Sequence, residues 1–244
     1  MINIVEETSF GNAWWKAIRF VLRNEQPLTF GVDKKHAWDS TQLIELTGNA
    51  ITQVLNGQLH PLSTFKAIDS YKREFTYEYL NEYKKKRESD KFDYLYMDRL
   101  ANNMTITNPM FTMDEGEWET TDQISYLYDA IRKQRIEQIS QNYVLAITWY
   151  TDVDGLESPA SPCLQIIQLR WNPGDLIDMH LIWRSRDLYN AWQANIIAIA
   201  DMVNTEVVIP NECKLHRITD YSTSLHIYDE DIEQAKRVNM VWPR

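Results

Sequence analysis

The chain is poor in cysteine, glycine and proline, and it has no long hydrophobic run. Its two cysteines, Cys163 and Cys213, cannot build a disulfide framework or a zinc site of four thiolates. Seven glycines and eight prolines are spread thinly along the 244 residues, and we find no flexible linker and no internal repeat. No stretch is long and apolar enough for a transmembrane helix. We therefore expect one domain covering residues 1–244 and no membrane partner.

Basic residues are outnumbered by acidic ones. Lys and Arg total 25 against 35 Asp and Glu, which gives a formal net charge of −10 at pH 7. Such a field repels nucleic-acid phosphates, so we expect no nucleic-acid partner, and the charged run at 83–88 reads as a solvated helix face. The first residues lack the basic and apolar segments of a signal peptide. The expected location is the cytoplasm, or the host cytoplasm for a phage-encoded chain.

The hydrophobic pattern mixes helices and strands. Apolar residues at helical spacing predict a helix capped by Thr8 or Ser9, a second over about 122–139 and a third over about 194–203. Strands are predicted over 144–150, 164–171, 177–181, 207–209 and 225–228. A turn signal at 172–175 joins two of them in a hairpin. Because strands and helices do not alternate regularly and no glycine-rich phosphate loop occurs, the predicted class is α+β.

Few residues suggest chemistry. The five histidines lack zinc-ligand spacing, so no metal site is predicted. Cys163 stands at the start of a predicted strand, and Arg184 and Ser185 follow the hairpin. An Arg-Ser pair can hold a phosphate, and its positive charge favours a thiolate nearby. Taken singly, these features have plainer explanations, since a cysteine after proline is often a small buried side chain and the tetrad at 184–187 is often a salt bridge with a helix cap.

Several short motifs occur in a specific order along the chain. They are Pro162-Cys163 with Gln168, Arg184-Ser185-Arg186-Asp187, Ala191-Trp192-Gln193-Ala194-Asn195 and Leu225-His226-Ile227-Tyr228. Together they resemble the motifs of the thymidylate synthase and pyrimidine hydroxymethylase family, and 184–195 is most similar to its archaeal and phage-type branch. Residues 93–100 and 122–124 are similar to two further motifs. Lys35 and Glu45 resemble the segment that supplies the active-site glutamate of the family.

The resemblance implies a fold and a reaction. The fold is a large mixed β-sheet flanked by helices, with the sheet forming the interface of a homodimer. The reaction is a folate-dependent one-carbon transfer to C5 of a pyrimidine nucleotide, with 5,10-methylenetetrahydrofolate as co-substrate. Cys163 corresponds to the nucleophile that attacks C6 of the ring. Glu45 and Tyr96 correspond to residues that move protons, and Asp187 to the residue that contacts the pterin of the folate.

The same resemblance implies how the nucleotide is bound. Arg184 and Ser185 correspond to phosphate contacts, and His226 and Tyr228 to the pair that holds the ribose 3′-hydroxyl. His226 and Tyr228 also alternate along a strand, so the alternative is one solvent-facing side. Asn195 offers a donor and an acceptor, which suits the edge of uracil, whereas cytosine-specific members tend to carry Asp there. The expected substrate is therefore dUMP.

Departures from the family pattern leave the product open. In place of the paired arginines that the partner subunit contributes in the family, this chain has Gln141-Asn142-Tyr143. Candidates to compensate are Arg132, Arg135, Lys34 and Lys35. Leu164, Met97 and the tail at 241–244 also differ from the residues usual in the family. The leading interpretation is a thymidylate synthase. The alternatives are a dUMP hydroxymethylase and a catalytically silent homologue that binds a nucleotide or a protein partner.

Overall fold

The structure is a computed structural model that describes residues 2–24, 27–30, 35–86, 94–106, 118–150, 154 and 161–241. The strands are β1 Asn3–Glu7, β2 Pro27–Phe30, β3 Lys35–Thr47, β4 Asn103–Ile106, β5 Trp118–Thr121, β6 Leu145–Ile147, β7 Leu164–Asn172, β8 Leu176–Trp183, β9 Arg186–Asp187 and β10 Lys214–Tyr228. The helices are α1 Phe10–Asn24, α2 Asn49–Leu55, α3 Ile68–Arg73, α4 Tyr77–Lys84, α5 Tyr96–Ala101, α6 Gln123–Glu137, α7 Trp192–Val203 and α8 Ile232–Val241. The α+β class is confirmed.

A mixed sheet of eight strands lies at the centre of the described residues. Its main order is β1-β3-β10-β8-β7-β6, while β2 pairs with β3 and β9 pairs with β10. β10 runs antiparallel to β3 and parallel to β8 and β9. β7 and β8 form the antiparallel hairpin that the turn signal predicted. The large mixed sheet flanked by helices is therefore confirmed, and no helix within the described ranges is long and apolar enough to cross a membrane.

One face of the sheet is covered by helices. Cross-strand partners across β3, β10, β8, β7 and β6 form a row of buried side chains, namely Ile44, Asp220, Leu181, Ile167 and Ala146. Helix α1 packs on this side against β3, with Trp14, Ala17, Ile18 and Val21 fully buried. The predicted apolar stripe of α1 is thus the core. Asp220 is the one carboxylate in an otherwise apolar row.

The opposite face is half-buried. The adjacent row contains Glu45, Thr219, His180, Gln168 and Leu145, which pair across the same five strands. Because successive side chains of a strand point to opposite faces, this row lies on the side away from Asp220. Its members are half-buried or exposed. Alternate residues of each strand therefore face the helices, and the residues between them face the opposite side.

Two predicted strands differ from the structure. Residues Asn204–Val208 form a π-helical turn that continues α7, so the strand predicted at 207–209 is wrong. Val207 and Val208 are fully buried, and the turn packs against α6, which overrides the strand preference of β-branched residues. The strand predicted over 144–150 is restricted to Leu145–Ile147. The strand predicted at 225–228 is the end of β10.

Gly11, in the first turn of α1, lies against His60. A Cβ at this position would come 2.9 Å from His60 Cδ2. The imidazole ring is held by the Leu62 amide, which donates to its Nδ1 at 3.1 Å, and by Trp14, whose ring centroid is 5.0 Å away. Alanine normally favours a helix over glycine by about 1 kcal/mol. We expect Gly11→Ala to lower the free energy of unfolding by about 1–3 kcal/mol instead, because the ring has little room to move.

Urea denaturation measures this effect. In the background of His60→Ala the cost of Gly11→Ala should largely disappear, since the obstructing ring is gone. A more stable Gly11→Ala protein in the wild-type background would contradict the tight contact.

His60 also predicts a pH dependence. Burial lowers the pKa of His60 to about 4 from its ordinary value of 6.5. Between these values the unfolded chain binds a proton that the native chain does not. Stability therefore falls as the pH is lowered through this window, by up to ~1.4 kcal/mol per pH unit. In urea denaturation at several pH values, His60→Asn should give a flatter dependence, while the exposed His36→Asn serves as a control. An unchanged slope in His60→Asn would exclude this contribution.

Candidate active site

Cys163 lies directly before β7, at the end of the sheet where β8 leads into Arg184. The Arg184 amide donates to the Cys163 carbonyl at 3.0 Å. The Arg184 guanidinium donates from Nε to the carbonyl of Pro162 at 3.0 Å and from Nη2 to that of Ser161 at 2.6 Å. Arg184 is exposed and Cys163 is half-buried. The arginine thus holds the backbone before the cysteine and brings a positive charge to this part of the chain.

Tyr96, the first residue of α5, reaches the same backbone. Its hydroxyl accepts hydrogen bonds from the amides of Cys163 and Leu164, both at 3.2 Å. The hydroxyl of Tyr94 lies 3.4 Å from that of Tyr96. Burial, and then the negative charges of Tyr94 and Cys163, raise the pKa of Tyr96 well above its usual value. Tyr96 therefore keeps its proton near neutral pH and is suited to orient or relay a proton.

An aromatic cluster runs from this point into the protein. We define it as Tyr71, Phe75, Tyr94, Tyr96 and Trp183. Ring centroids are 5.6 Å apart for Tyr71 and Phe75, 6.0 Å for Phe75 and Tyr96, and 6.2 Å for Tyr96 and Trp183. Phe75 and Tyr96 are stacked, whereas the other two pairs meet edge to face, so the cluster offers a largely apolar aromatic surface.

Asn195 borders the other end of the aromatic cluster. It lies in the first turn of α7 and donates from Nδ2 to the Tyr71 hydroxyl at 2.6 Å. Because Tyr96 contacts the Cys163 amide, positions 163 and 195 border the same cluster. The structure thus brings together two of the predicted site residues that are far apart in the sequence.

Arg186 lies behind Asn195, and sequence reasoning assigned it no role. Its Nε donates to Asn195 Oδ1 at 3.2 Å, its Nη1 to Asp220 Oδ1 at 2.7 Å and its Nη2 to the Trp192 carbonyl at 3.1 Å. The guanidinium carbon lies 3.8 Å from the centroid of the Trp183 ring. The side chains of Arg186 and Asp220 are 1% and 0% exposed. The two residues form a buried ion pair next to the predicted base-recognition residue.

His226 and Tyr228 lie at the end of β10. Their ring centroids are 4.8 Å apart, and β10 pairs His226 with Asp187 of β9. His226 is 3% exposed, so the alternative of a solvent-facing pair does not hold for it. Burial lowers the pKa of His226 to about 4. Burial raises the pKa of Tyr228, and the nearby charges of Asp187 and Cys163 add to this effect.

Asp187 is anchored by the turn that leads into α7. Its Oδ1 accepts the amides of Tyr189 and Asn190 at 2.9 and 3.0 Å, and its Oδ2 accepts Nδ2 of Asn190 at 3.2 Å. Burial raises the pKa of this carboxyl. Ser185 precedes this turn and is half-buried. The carboxylate is therefore held in one orientation, on the strand that also pairs with His226.

Glu45 lies elsewhere. It belongs to the half-buried face of the sheet, where its Oε2 is 3.5 Å from Nη1 of Arg217. Asp220 and Arg186 belong to the helix-covered face, so the sheet separates Glu45 from Asn195. The structure does not bring Glu45 to the other predicted residues. The resemblance placed the glutamate within a segment of the chain, but it did not indicate which residues of β3 face the helices.

Glu74 is a carboxylate that the sequence analysis missed. It follows α3 directly, and burial raises its pKa. Its charge is, after burial, a cause of the raised pKa of Tyr71, which binds Asn195. Burial therefore favours the protonated form of this carboxyl group, which makes Glu74 a candidate for proton exchange. Helix α3 is only six residues long and buries none of them, so it has no periodic apolar pattern. The signal that could have pointed to Glu74 is its position three residues after Tyr71.

The cations proposed to replace the missing arginines lie in different places. Arg135 is bound to two carboxylates of this chain, with Nε 3.1 Å from Asp175 Oδ1 and Nη1 2.8 Å from Glu212 Oε2. The Nζ of Lys35 lies 5.3 Å from the centroid of the Tyr228 ring. Lys34 falls outside the described residues. Lys35 is therefore placed next to a predicted site residue.

Comparison with known proteins gives matches that include the candidate site residues described above. The family model for thymidylate synthase matches residues 22–240. A protein of Methanothermobacter marburgensis is 35% identical over 95 residues, 38% of this chain and 40% of the relative. One of Methanothermobacter thermautotrophicus is 30% identical over 118 residues, 47% and 50% of the two chains. One of Methanococcoides burtonii is 23% identical over 206 residues, 78% and 84%.

All three relatives are named "Putative thymidylate synthase". The matched segment spans half the length or less of the first two. The family model covers far more of the chain, including every predicted site residue from Glu45 to Tyr228. The order of motifs around Cys163, the mixed sheet and this match agree with one another, and the chain belongs to the thymidylate synthase family.

Proposed function

We propose that the protein is a transferase that moves a one-carbon unit from 5,10-methylenetetrahydrofolate to C5 of dUMP, giving dTMP. The observation that carries this proposal is the position of Cys163 and Asn195 on one aromatic cluster, with Arg184 beside the cysteine. A thiol, a cation, an aromatic surface and an amide are groups suited to bind a pyrimidine ring and add sulfur to it. Family membership supports the reaction class.

The chemistry begins at Cys163. C5 of uracil is a poor nucleophile until a thiolate adds to C6, which places an electron pair on C5 and O4. The guanidinium of Arg184 is bound to the carbonyls of Ser161 and Pro162, directly before the nucleophile. The folate supplies the carbon that C5 attacks and, in the synthase reaction, the hydride. Loss of the C5 proton would then break the bond between the transferred carbon and the folate nitrogen. Hydride transfer from the folate to that carbon would expel the Cys163 thiolate from C6 and give dTMP and dihydrofolate.

Two other residues serve proton transfer. Tyr96 contacts the backbone of Cys163 and retains its own proton, so it would orient the acceptor of the C5 proton. Glu74, with its raised pKa, lies near the Tyr71 that binds Asn195. It would exchange a proton on the side of the ring that Asn195 recognises. Glu74 takes the role that the sequence analysis gave to Glu45.

Substrate binding follows from the remaining residues. Arg184 and Ser185 would contact the phosphate, and Asn195 the uracil edge. His226 and Tyr228 would hold the ribose 3′-hydroxyl, with His226 acting as a neutral hydrogen-bonding group because of its low pKa. The half-buried, fixed carboxylate of Asp187 is suited to accept N–H groups of a pterin. Arg184, Ser185 and Asp187 lie between β8 and α7, Asn195 lies in α7, and His226 and Tyr228 lie at the end of β10.

We also propose that two copies pair through the half-buried face of the sheet. On that face Leu145 and Ile147 of β6 are apolar and 38% and 39% exposed. A second copy would cover them, as the family resemblance implies. The Glu45 carboxylate would then lie at the interface between the copies.

One incubation tests the proposed reaction. The protein is mixed with dUMP and 5,10-methylenetetrahydrofolate, and both products are identified by mass spectrometry. We expect dTMP with dihydrofolate. Hydroxymethyl-dUMP with tetrahydrofolate would assign the hydroxymethylase reaction instead, which differs only in the group that reaches the exocyclic carbon. Binding of dUMP without loss of tritium from its C5 position would assign a silent homologue.

A further inference from the structure

We propose that Arg186 is a positioning residue that fixes the orientation of the Asn195 amide and thereby makes the site select between 4-oxo and 4-amino pyrimidine nucleotides. The proposal rests on the proposed function, because it concerns the residue that would recognise the base. It adds a residue and a mechanism of selection to that function. The juxtaposition that carries it is the contact of Arg186 Nε with Asn195 Oδ1 at 3.2 Å.

A guanidinium has donors only, so it can approach just one end of an amide. The N–H of Arg186 Nε therefore faces the oxygen of Asn195, and the amide nitrogen faces the Tyr71 hydroxyl at 2.6 Å. If the amide rotated by half a turn, its N–H groups would point at the N–H of Arg186. One orientation of Asn195 is therefore strongly favoured.

The orientation matters because an amide can read two different edges. Uracil presents a donor at N3 and an acceptor at O4, whereas cytosine presents an acceptor at N3 and a donor at N4. A freely rotating asparagine can match either edge by exchanging its oxygen and nitrogen. A fixed asparagine matches only one. In this arrangement one Oδ1 lone pair and one Nδ2 hydrogen remain beyond the contacts to Arg186 and Tyr71.

Arg186 is itself held rigidly. Asp220 and the Trp192 carbonyl take its two terminal nitrogens, and Trp183 packs on the guanidinium plane. The Trp192 indole donates to the second oxygen of Asp220 at 2.8 Å. Asp220 of the sheet therefore fixes Arg186, and Arg186 in turn fixes the amide of Asn195.

Stability alone does not explain this arrangement. Asp220 occupies a row in which its neighbours across the sheet, Ile44 and Leu181, are apolar. Replacing a buried ion pair by apolar residues is often neutral or stabilising, so a core position of this kind has no need of charge. The contact of Arg186 with the base-recognition residue gives the pair a functional reason.

The test measures dissociation constants of dUMP and dCMP by calorimetry, without folate. Arg186→Lys keeps the charge opposite Asp220 but loses the Nε donor to Asn195. We expect the ratio of the two dissociation constants to move toward unity by at least about tenfold, the strength of a charge-assisted hydrogen bond. A purely structural role would weaken both nucleotides equally and leave the ratio unchanged, which would overturn the proposal.

Arg99→Lys is the matched control. Arg99 also pairs with a buried carboxylate, Asp154, at 2.8 and 3.0 Å and lies over the ring of Tyr150. Its own side chain is 11% exposed, and its contacts do not include Asn195. In Arg99→Lys the ratio of the dissociation constants of dUMP and dCMP should stay within about twofold of the wild-type ratio, as expected for an independent site. Circular dichroism checks the fold of each variant. If Arg186→Lys does not fold, the apolar replacement of Arg186→Met with Asp220→Leu tests the same loss of selectivity.

The outcomes separate this proposal from the proposed function. Wild-type protein that binds neither nucleotide overturns both. Wild-type protein that discriminates between the nucleotides but releases no tritium from dUMP overturns the transferase reaction alone, and the ratio in Arg186→Lys still decides the role of Arg186. An unchanged ratio in the folded variant, with turnover intact in wild type, overturns only the role of Arg186.

Discussion

Cys163→Ser will lower the release of tritium from C5-labelled dUMP by about 10³-fold or more, because a serine hydroxyl is far less ionised and less nucleophilic than a thiol. The fold should persist. The hydrogen bonds that hold position 163 involve its backbone amide and carbonyl, not its sulfur. Tritium release reports the addition at C6 whether the final product is dTMP or hydroxymethyl-dUMP.

The second free cysteine provides the control for this experiment. Cys213 is buried, and its Sγ lies 3.4 Å from the carbonyl of Asn211, to which it donates. Cys213→Ser should release tritium within about twofold of the wild-type rate, because position 213 lies in the core after the π-helical turn and Cys163, the proposed nucleophile, is unchanged. Release by Cys163→Ser at the wild-type rate would remove Cys163 from the mechanism.

Asp220→Ala should lower the free energy of unfolding by about 3–5 kcal/mol, because it leaves the fully buried guanidinium of Arg186 without its counter-charge. It also removes the acceptor of the Trp192 indole N–H. Burial already lowers the pKa of Arg186, and Asp220 is the group that counteracts this most. Urea denaturation at neutral pH measures the loss.

An exposed ion pair gives the comparison. Lys236 Nζ lies 2.8 Å from Glu233 Oε1, and the Glu233 side chain is 76% exposed. Glu233→Ala should therefore leave the midpoint of urea denaturation close to that of the wild type. In Arg186→Met with Asp220→Leu most of the stability lost in Asp220→Ala should return, because no charge remains buried. A loss below about 1 kcal/mol in Asp220→Ala would contradict the buried pair.

The parts of the fold that the sequence predicted are those with local signals. Helix α1 has a continuous apolar stripe, α6 has Asp122 as its cap, accepting from the amides of Ile124 and Ser125, and the β7–β8 hairpin has a strong turn. Each signal lies within a few neighbouring residues. Periodicity and capping act at that range, so no knowledge of the sheet was required.

The long central strand β10 was largely missed because its buried positions include polar residues. Asp220, Ser222 and His226 are buried within it, which breaks the alternation that marks a strand. The order of the strands depends on backbone pairing between residues that are far apart in the chain, and no local sequence pattern specifies this pairing. Glu45 shows the consequence, since a shift of one residue along β3 decides whether a carboxylate faces the helices or the opposite side.

The ordered motifs predicted much of the candidate site. Cys163, Tyr96 and Arg184 meet through the backbone before β7, and Asn195 joins them through the aromatic cluster. Arg186 and Asp220 are separated by 34 residues, and neither belongs to a periodic pattern that would suggest their pairing. Their contact became visible only when the row of side chains across the sheet was known.

The ion pair between Arg186 and Asp220 also limits how such a protein can change over generations. Loss of either partner alone leaves an unpaired charge in the core and destabilises the protein, whereas replacement of both by apolar residues costs little stability. Substitutions at the two codons should therefore arise together or through a compensating neighbour. A lineage that shifts its preference between bases by releasing Asn195 would have to cross a less stable intermediate.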